Sequence, residues 1–190
     1  MSEPKGCCCS EGGNTTCCGP ERSLESADET GPERKRLDID LLYLDLDTCT
    51  RCRETEVNLD EALAEVTRVL ESTGAVVNLR KIHVKTEEQA RELRFVSSPT
   101  IRVNGHDIQL EVRESLCESC GDICGEDMDC RVWVYQGKEY IYPPKALIVE
   151  AILRAVYGGA SAEPEPWTGD VPDNLKRFFA ALAKKRHESG

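Results

Sequence analysis

The sequence predicts an α/β protein in which a mixed sheet is flanked by helices. Short apolar or β-branched runs alternate with segments of helical period over residues 37–158. Two turn signals, Asn104-Gly105 and Gln136-Gly137, sit between strand-like runs and imply hairpins. A chain of 190 residues with 39% hydrophobic content can fill one modest core, and it leaves some sequence outside.

Residues 1–36 are dominated by Ser, Glu, Gly, Pro, Thr and Cys, with a single Leu. They read as a disordered Cys-rich tail, because too little apolar surface is present to offset the entropy of ordering. "LDIDLLYLDLD" (37–47) is apolar enough for a buried strand. A long helix follows, with Val57, Leu59, Ala62, Leu63, Val66, Val69 and Leu70 spaced three and four apart and Gly74 ending the run. "AVVNLRKIHV" (75–84) is a second strand, and Thr86 with Gln89 has capping-box spacing at the head of a second helix.

"SSPTIRVNGHDIQLEV" gives a proline entry, a short strand, the Asn-Gly turn and a returning strand. Residues 116–130 read as a Cys-rich acidic loop insertion, and "RVWVYQGKEYIY" as a second hairpin. "PPKALIVEAILRAVYGG" is a helix with proline at its start and glycine past its end. Residues 159–190 hold a linker and a short amphipathic C-terminal helix, with Phe178-Phe179 expected to dock it on the domain. This order implies one mixed sheet.

Lys plus Arg number 24 and Asp plus Glu 35, a net charge of −11. That balance repels phosphate backbones and anionic lipid, so neither nucleic acid nor a membrane is expected as a partner. The longest apolar stretch, "ALIVEAILRAVY", is broken by Glu150 and Arg154 and falls short of the roughly 20 residues of a membrane span. "MSEPKG" leads into cysteines and not into an apolar signal region, so a cytoplasmic location is expected. No Ser-His-Asp grouping, phosphate loop or HExxH helix is legible, and no organic cofactor is expected. His83, His106 and His187 read as structural or solvated.

The eleven cysteines carry the chemistry. In reducing cytosol such clusters are more often metal-binding or redox-active than stapled. Cys49-Thr50-Arg51-Cys52 joins the first strand to the long helix. A sulfur at a helix N-terminus faces unpaired N–H groups and the positive end of the dipole, which favour thiolate. Cys49 is therefore the expected nucleophile and Cys52, one turn inside, the resolving thiol. Half of a zinc site is the alternative. Asp45 or Asp47 could relay a proton to Cys52, or be solvated strand-end carboxylates.

Cys117, Cys120, Cys124 and Cys130 have the spacing C-x2-C-x3-C-x5-C and could wrap a tetrahedral ion, zinc or another thiophilic metal. A second redox pair (Cys117 with Cys120) and a Cys124–Cys130 disulfide are the other readings. In the tail, Cys7, Cys8, Cys9, Cys17 and Cys18 include adjacent thiols, poor staples but good chelators of soft ions such as Hg(II), As(III), Cu(I) or Zn(II). They could capture an ion and pass it to Cys49 and Cys52, or form a zinc knuckle of their own.

With CxxC at a strand–helix junction and Pro99 opening a strand some fifty residues later, residues 37–158 resemble the thioredoxin superfamily. The resemblance implies a cis Pro99 beside the CxxC, with the backbone of Ser98 offered to an incoming extended chain or mixed disulfide. "DTCTRCRETEVNLDEAL", "VNGHDIQ" and "CESCGDICGEDMDCRVWVYQGKEY" look, more closely, like a thioredoxin-like domain of unknown function numbered 2703. That family implies a fold and a thiol site but no substrate.

Two functions follow as expectations. One is a thiol–disulfide oxidoreductase using Cys49, Cys52 and Pro99 on a protein disulfide or thiol-bearing partner. The other is a soft-metal binding or detoxification protein using the tail and the 117–130 cysteines.

Overall fold

A computed structural model describes residues 35–158 and 169–188. The tail cysteines and most of the expected linker lie outside the described residues. Strand β1 (Arg36–Tyr43) runs parallel to β2 (Val76–His83), and the 23-residue helix α1 (Thr50–Ser72) makes the crossover that parallel strands require. After the short helix α2 (Glu87–Glu92), β3 (Thr100–Val103) returns antiparallel to β1, and β4 (His106–Asp107) turns back along β3 at Asn104-Gly105. The resulting sheet has the order β2-β1-β3-β4.

The alternation along β1 sends its side chains to two sides. Leu37, Ile39 and Leu41 join a core with Leu59, Ala62, Leu63, Val66 and Leu70 of α1 and Ile148 and Ile152 of α4 (Lys145–Tyr157). Leu42, on the opposite face of β1, and Leu44, just past the strand, enter a second core with Phe95, Met128 and the domain's buried cysteines. Helix α5 (Asp173–Glu188) lines that second core through Leu175, Phe178, Phe179 and Ala181. The Phe178-Phe179 pair meets edge to face at 5.6 Å and docks the helix as expected.

The expectation of one mixed sheet is corrected, because the chain builds two. The returning strand stops after Asp107, whose carboxylate is held by both terminal nitrogens of the buried Arg131, at 2.9 and 2.8 Å. Gln109 then bonds the β6 backbone at Val132 and Val134. Residues 113–116 consequently pair elsewhere. Strand β5 (Arg113–Leu116) lies against β6 (Asp129–Tyr135), and β6 against β7 (Lys138–Tyr140), forming a three-stranded sheet.

The segment expected as a loop is also structured. Between β5 and β6, Glu118–Cys124 form helix α3, ended by Gly125 at φ 82°, a conformation glycine adopts without strain. Lys185 of α5 donates to the α3 carbonyls of Asp122 (3.2 Å) and Ile123 (2.9 Å), satisfying groups that a helix end leaves open.

Because Phe178 is 2% exposed and belongs to the same core as the cysteines, α5 is an integral layer of the domain. Replacing Phe178→Ala is expected to cost about 3–4 kcal/mol in urea unfolding. A loss under about 0.5 kcal/mol, the range of surface changes, would show α5 to be peripheral.

A four-cysteine centre at the head of the long helix

The loop from β1 to α1 is shaped by Asp45, whose Oδ1 accepts from the N–H groups of Thr48 (2.5 Å) and Cys49 (3.2 Å). Asp45 thus braces the turn that delivers Cys49 to the N-cap of α1. Helix α1 begins at Thr50, so Cys52 lies inside its first turn. Cys117 occupies the corresponding N-cap of α3, Cys120 lies within that helix, and Cys130 is near the start of β6.

These elements converge on one point. The sulfurs of Cys49, Cys117, Cys120 and Cys130 all lie within 4.8 Å of one another, and all four residues are buried. Cys120 is 3.4 Å from Cys49, and Cys130 is 3.2 Å from Cys120. Cys124 lies outside this group, with its thiol directed to the carbonyls of Glu126 (3.3 Å) and Gly121 (3.8 Å). The spacing of the insertion therefore does not match the set of converging sulfurs. Cys49, from a different part of the chain, stands where Cys124 was expected.

Cys52 is a fifth, neighbouring sulfur. It has no exposed surface and lies 3.4 Å from the Ser98 hydroxyl. Ser98 is a junction. Its hydroxyl accepts from the Leu44 N–H at 3.2 Å, and its carbonyl accepts from the Arg131 N–H of β6 at 2.7 Å. The Ser98-Pro99 peptide is cis. Tyr43 stacks on His83 at 5.2 Å, while His106 and His83 take no part in the sulfur group.

Charge within the group is uneven. Hydrogen bonds from Cys117, then Cys120, Cys130 and Cys52, hold the Cys49 thiol far below its ordinary value, against the effect of burial. Cys120 and Cys130 lower Cys117 to about 7. Hydrogen bonding to Cys117 is the first cause that raises Cys120 and Cys130, while hydrogen bonding to Cys49 and then burial raise Cys52. The group favours negative charge on two sulfurs and resists it on the rest, as like charges crowded in a buried place must.

Arg51, inside the CxxC, was not singled out by its sequence position. Its guanidinium is buried and donates to the carbonyls of Leu116 (2.6 Å), Cys130 (3.1 Å), Ser115 (3.3 Å) and Arg131 (3.4 Å), and to the Ser115 hydroxyl (3.1 Å). It fastens the head of α1 to the two strands that flank the cysteine insertion. A sequence offers no signal for this, because every partner lies 64 or more residues away and most are backbone. Arg131 differs, being paired to Asp107 and stacked 5.1 Å over Trp133.

A surface cleft that reaches the group at Cys117 is lined by four carboxylates, Glu118, Asp122, Glu126 and Asp127, and by one cation, Arg177. Its carboxylates raise the local concentration of cations.

A family described as a domain of unknown function, DUF2703, matches residues 37–152. The chain belongs to this family. The DUF2703 match spans all members of the four-sulfur group and ends within α4, before α5. No curated protein and no solved structure matches the chain. No helix among the described residues is long and apolar enough to cross a membrane.

The Arg51 contacts lead to a stability prediction for the DUF2703 domain. Arg51→Met leaves several buried carbonyls without a donor and is expected to cost about 2–4 kcal/mol in urea unfolding. Arg51→Lys should recover less than half of that, because a single ammonium cannot reproduce the planar fork. Equal stability of wild type and Arg51→Met would refute the clamp.

Proposed function

We propose that the protein holds a thiophilic metal ion, with zinc the first candidate, in a closed centre made by Cys49, Cys117, Cys120 and Cys130. The observation that carries this reading is the mutual approach of four buried sulfurs from α1, α3 and β6. A tetrahedral zinc–thiolate site has metal–sulfur bonds of about 2.3 Å, which sets its sulfurs about 3.8 Å apart. The group, with two contacts at 3.2 and 3.4 Å and none beyond 4.8 Å, fits that donor set. A cation would supply the positive charge that lets all four thiols ionise together. With four protein ligands no coordination position stays open, so the centre suits holding and releasing an ion better than hydrolysis.

The frame is read as thioredoxin-like. This rests on parallel β1 and β2 joined by α1, antiparallel β3 and β4, and a CxxC at the head of α1 beside a cis-proline loop. In this reading α3 and β6 form an insertion that closes over the dithiol.

The thiol–disulfide oxidoreductase, with Cys49 as nucleophile and Cys52 resolving, is the second reading. The position of Cys49 at the N-cap of α1, with Cys52 in the first turn of the same helix, favours it. Weighing against it, Cys49 has no exposed surface, and the Ser98 carbonyl that a partner strand would use is bonded to Arg131.

The test uses the full chain with Cys7, Cys8, Cys9, Cys17 and Cys18 changed to Ser, purified without oxygen. About one equivalent of zinc is expected, and Co(II) in its place should give tetrahedral thiolate absorption. Cys120→Ser should lose the ion, whereas Cys124→Ser should keep it. Loss in Cys124→Ser as complete as in Cys120→Ser would replace this ligand set with the one read from the insertion alone. Absence of metal, together with a two-electron oxidation that vanishes in Cys49→Ser/Cys52→Ser, would establish the oxidoreductase instead.

A further inference from the structure

We infer that Cys49 belongs both to the metal centre and to a dithiol with Cys52, so that oxidation by a hydroperoxide forms a Cys49–Cys52 disulfide and releases the ion. The inference rests on the metal reading above and adds a chemical trigger for release. Cys49 is the member of the four-sulfur group that caps α1, the helix whose first turn carries Cys52, a thiol outside the group. Cys52 lies three residues on, in the first turn of the same helix, within reach for a disulfide. A sulfur bonded to Cys52 can no longer act as an anionic ligand, and three thiolates remain. A disulfide between two of the four ligands would remove both, whereas the Cys49–Cys52 pair removes a single ligand, and the Cys124 thiol is turned instead to the carbonyls of Gly121 and Glu126.

The accessible surface selects the oxidant. Cys49 and Cys52 are both 0% exposed, and Cys117 at 3% is the member of the group that touches the open cleft. A peptide disulfide cannot lie against sulfurs so covered, whereas a molecule the size of hydrogen peroxide can diffuse to them through a small opening of α3. The Cys49 sulfur attacks one peroxide oxygen, the O–O bond breaks, and hydroxide leaves to take a proton from solvent. The sulfenic acid so formed is attacked by the Cys52 sulfur. The S–S bond forms, the S–O bond breaks, and the departing hydroxide leaves as water with the Cys52 proton. Two electrons pass from the sulfur pair to the peroxide, which ends as two waters.

The measurement again uses the full chain with the five tail cysteines changed to Ser, loaded with zinc and treated with hydrogen peroxide. A chromogenic chelator follows zinc release, and peptide mass spectrometry maps the disulfide. Release in step with a Cys49–Cys52 crosslink is expected, reversed by a thiol reductant when zinc is restored. Cys52→Ser and Cys52→Ala should carry the same zinc before oxidation and release it at least about tenfold more slowly, because the resolving thiol is gone. Release at the wild-type rate in both variants, or a map showing only crosslinks among Cys117, Cys120 and Cys130, would overturn the shared role of Cys49. If no preparation carries zinc before peroxide is added, the metal reading itself fails. Zinc content at the start therefore separates the two failures.

Discussion

The guanidinium of Arg51 is the fastening on which the centre depends. It lies in the CxxC at the head of α1, yet its hydrogen bonds run to residues 115, 116, 130 and 131, the ends of β5 and the start of β6. Cys117 directly follows Leu116, one of these attachment points, and Cys130 is another. A buried cation bonded to carbonyl oxygens is tolerated because each donor meets a partial negative charge, and no carboxylate is consumed. The same cation lies near a group inclined to carry negative charge. One side chain thus ties α1 to both strands, which an aliphatic replacement could not do.

Around that fastening, packing and chemistry occupy the same volume. The four sulfurs share their core with Phe95, Met128, Phe178 and Phe179 and with the strand-end residues Leu42 and Leu44. Such surroundings exclude water, strengthen every hydrogen bond among the thiols and make further uncompensated anions costly. The sheet's other face, filled by α1 and α4, is conventional and apolar. The molecule therefore has one wholly apolar core and one in which apolar packing surrounds a group of thiols. Helix α5 contributes to the second, both through its phenylalanines and through Lys185 at the end of α3.

Much of the frame was legible in the sequence. Helix α1 could be read from Leu59 to Leu70 because its apolar residues keep one period, and the Asn104-Gly105 turn was plain from local chemistry. The first strand ends at Tyr43, earlier than the apolar run suggested, because Asp45 bonds the backbone of Thr48 and Cys49 and turns the chain. Splitting into two sheets was not legible, since it follows from Asp107 meeting Arg131 across 24 residues. The candidate site was half readable. Spacing alone grouped Cys117, Cys120, Cys124 and Cys130, but α3 turns Cys124 toward the backbone of Glu126 and brings Cys120 to Cys49, 71 residues away. No local pattern encodes a contact of that span.

The hydrogen bond from the Arg131 N–H to the Ser98 carbonyl has a further consequence. An extended chain approaching that carbonyl from outside competes with a segment of the same molecule, tethered through a folded sheet. Tethering presents the internal segment at an effective concentration in the millimolar range or above. A foreign chain must first displace that segment, so its apparent affinity falls by the ratio of the effective concentration to the internal segment's own dissociation constant. The domain thus supplies its own occupant for that carbonyl.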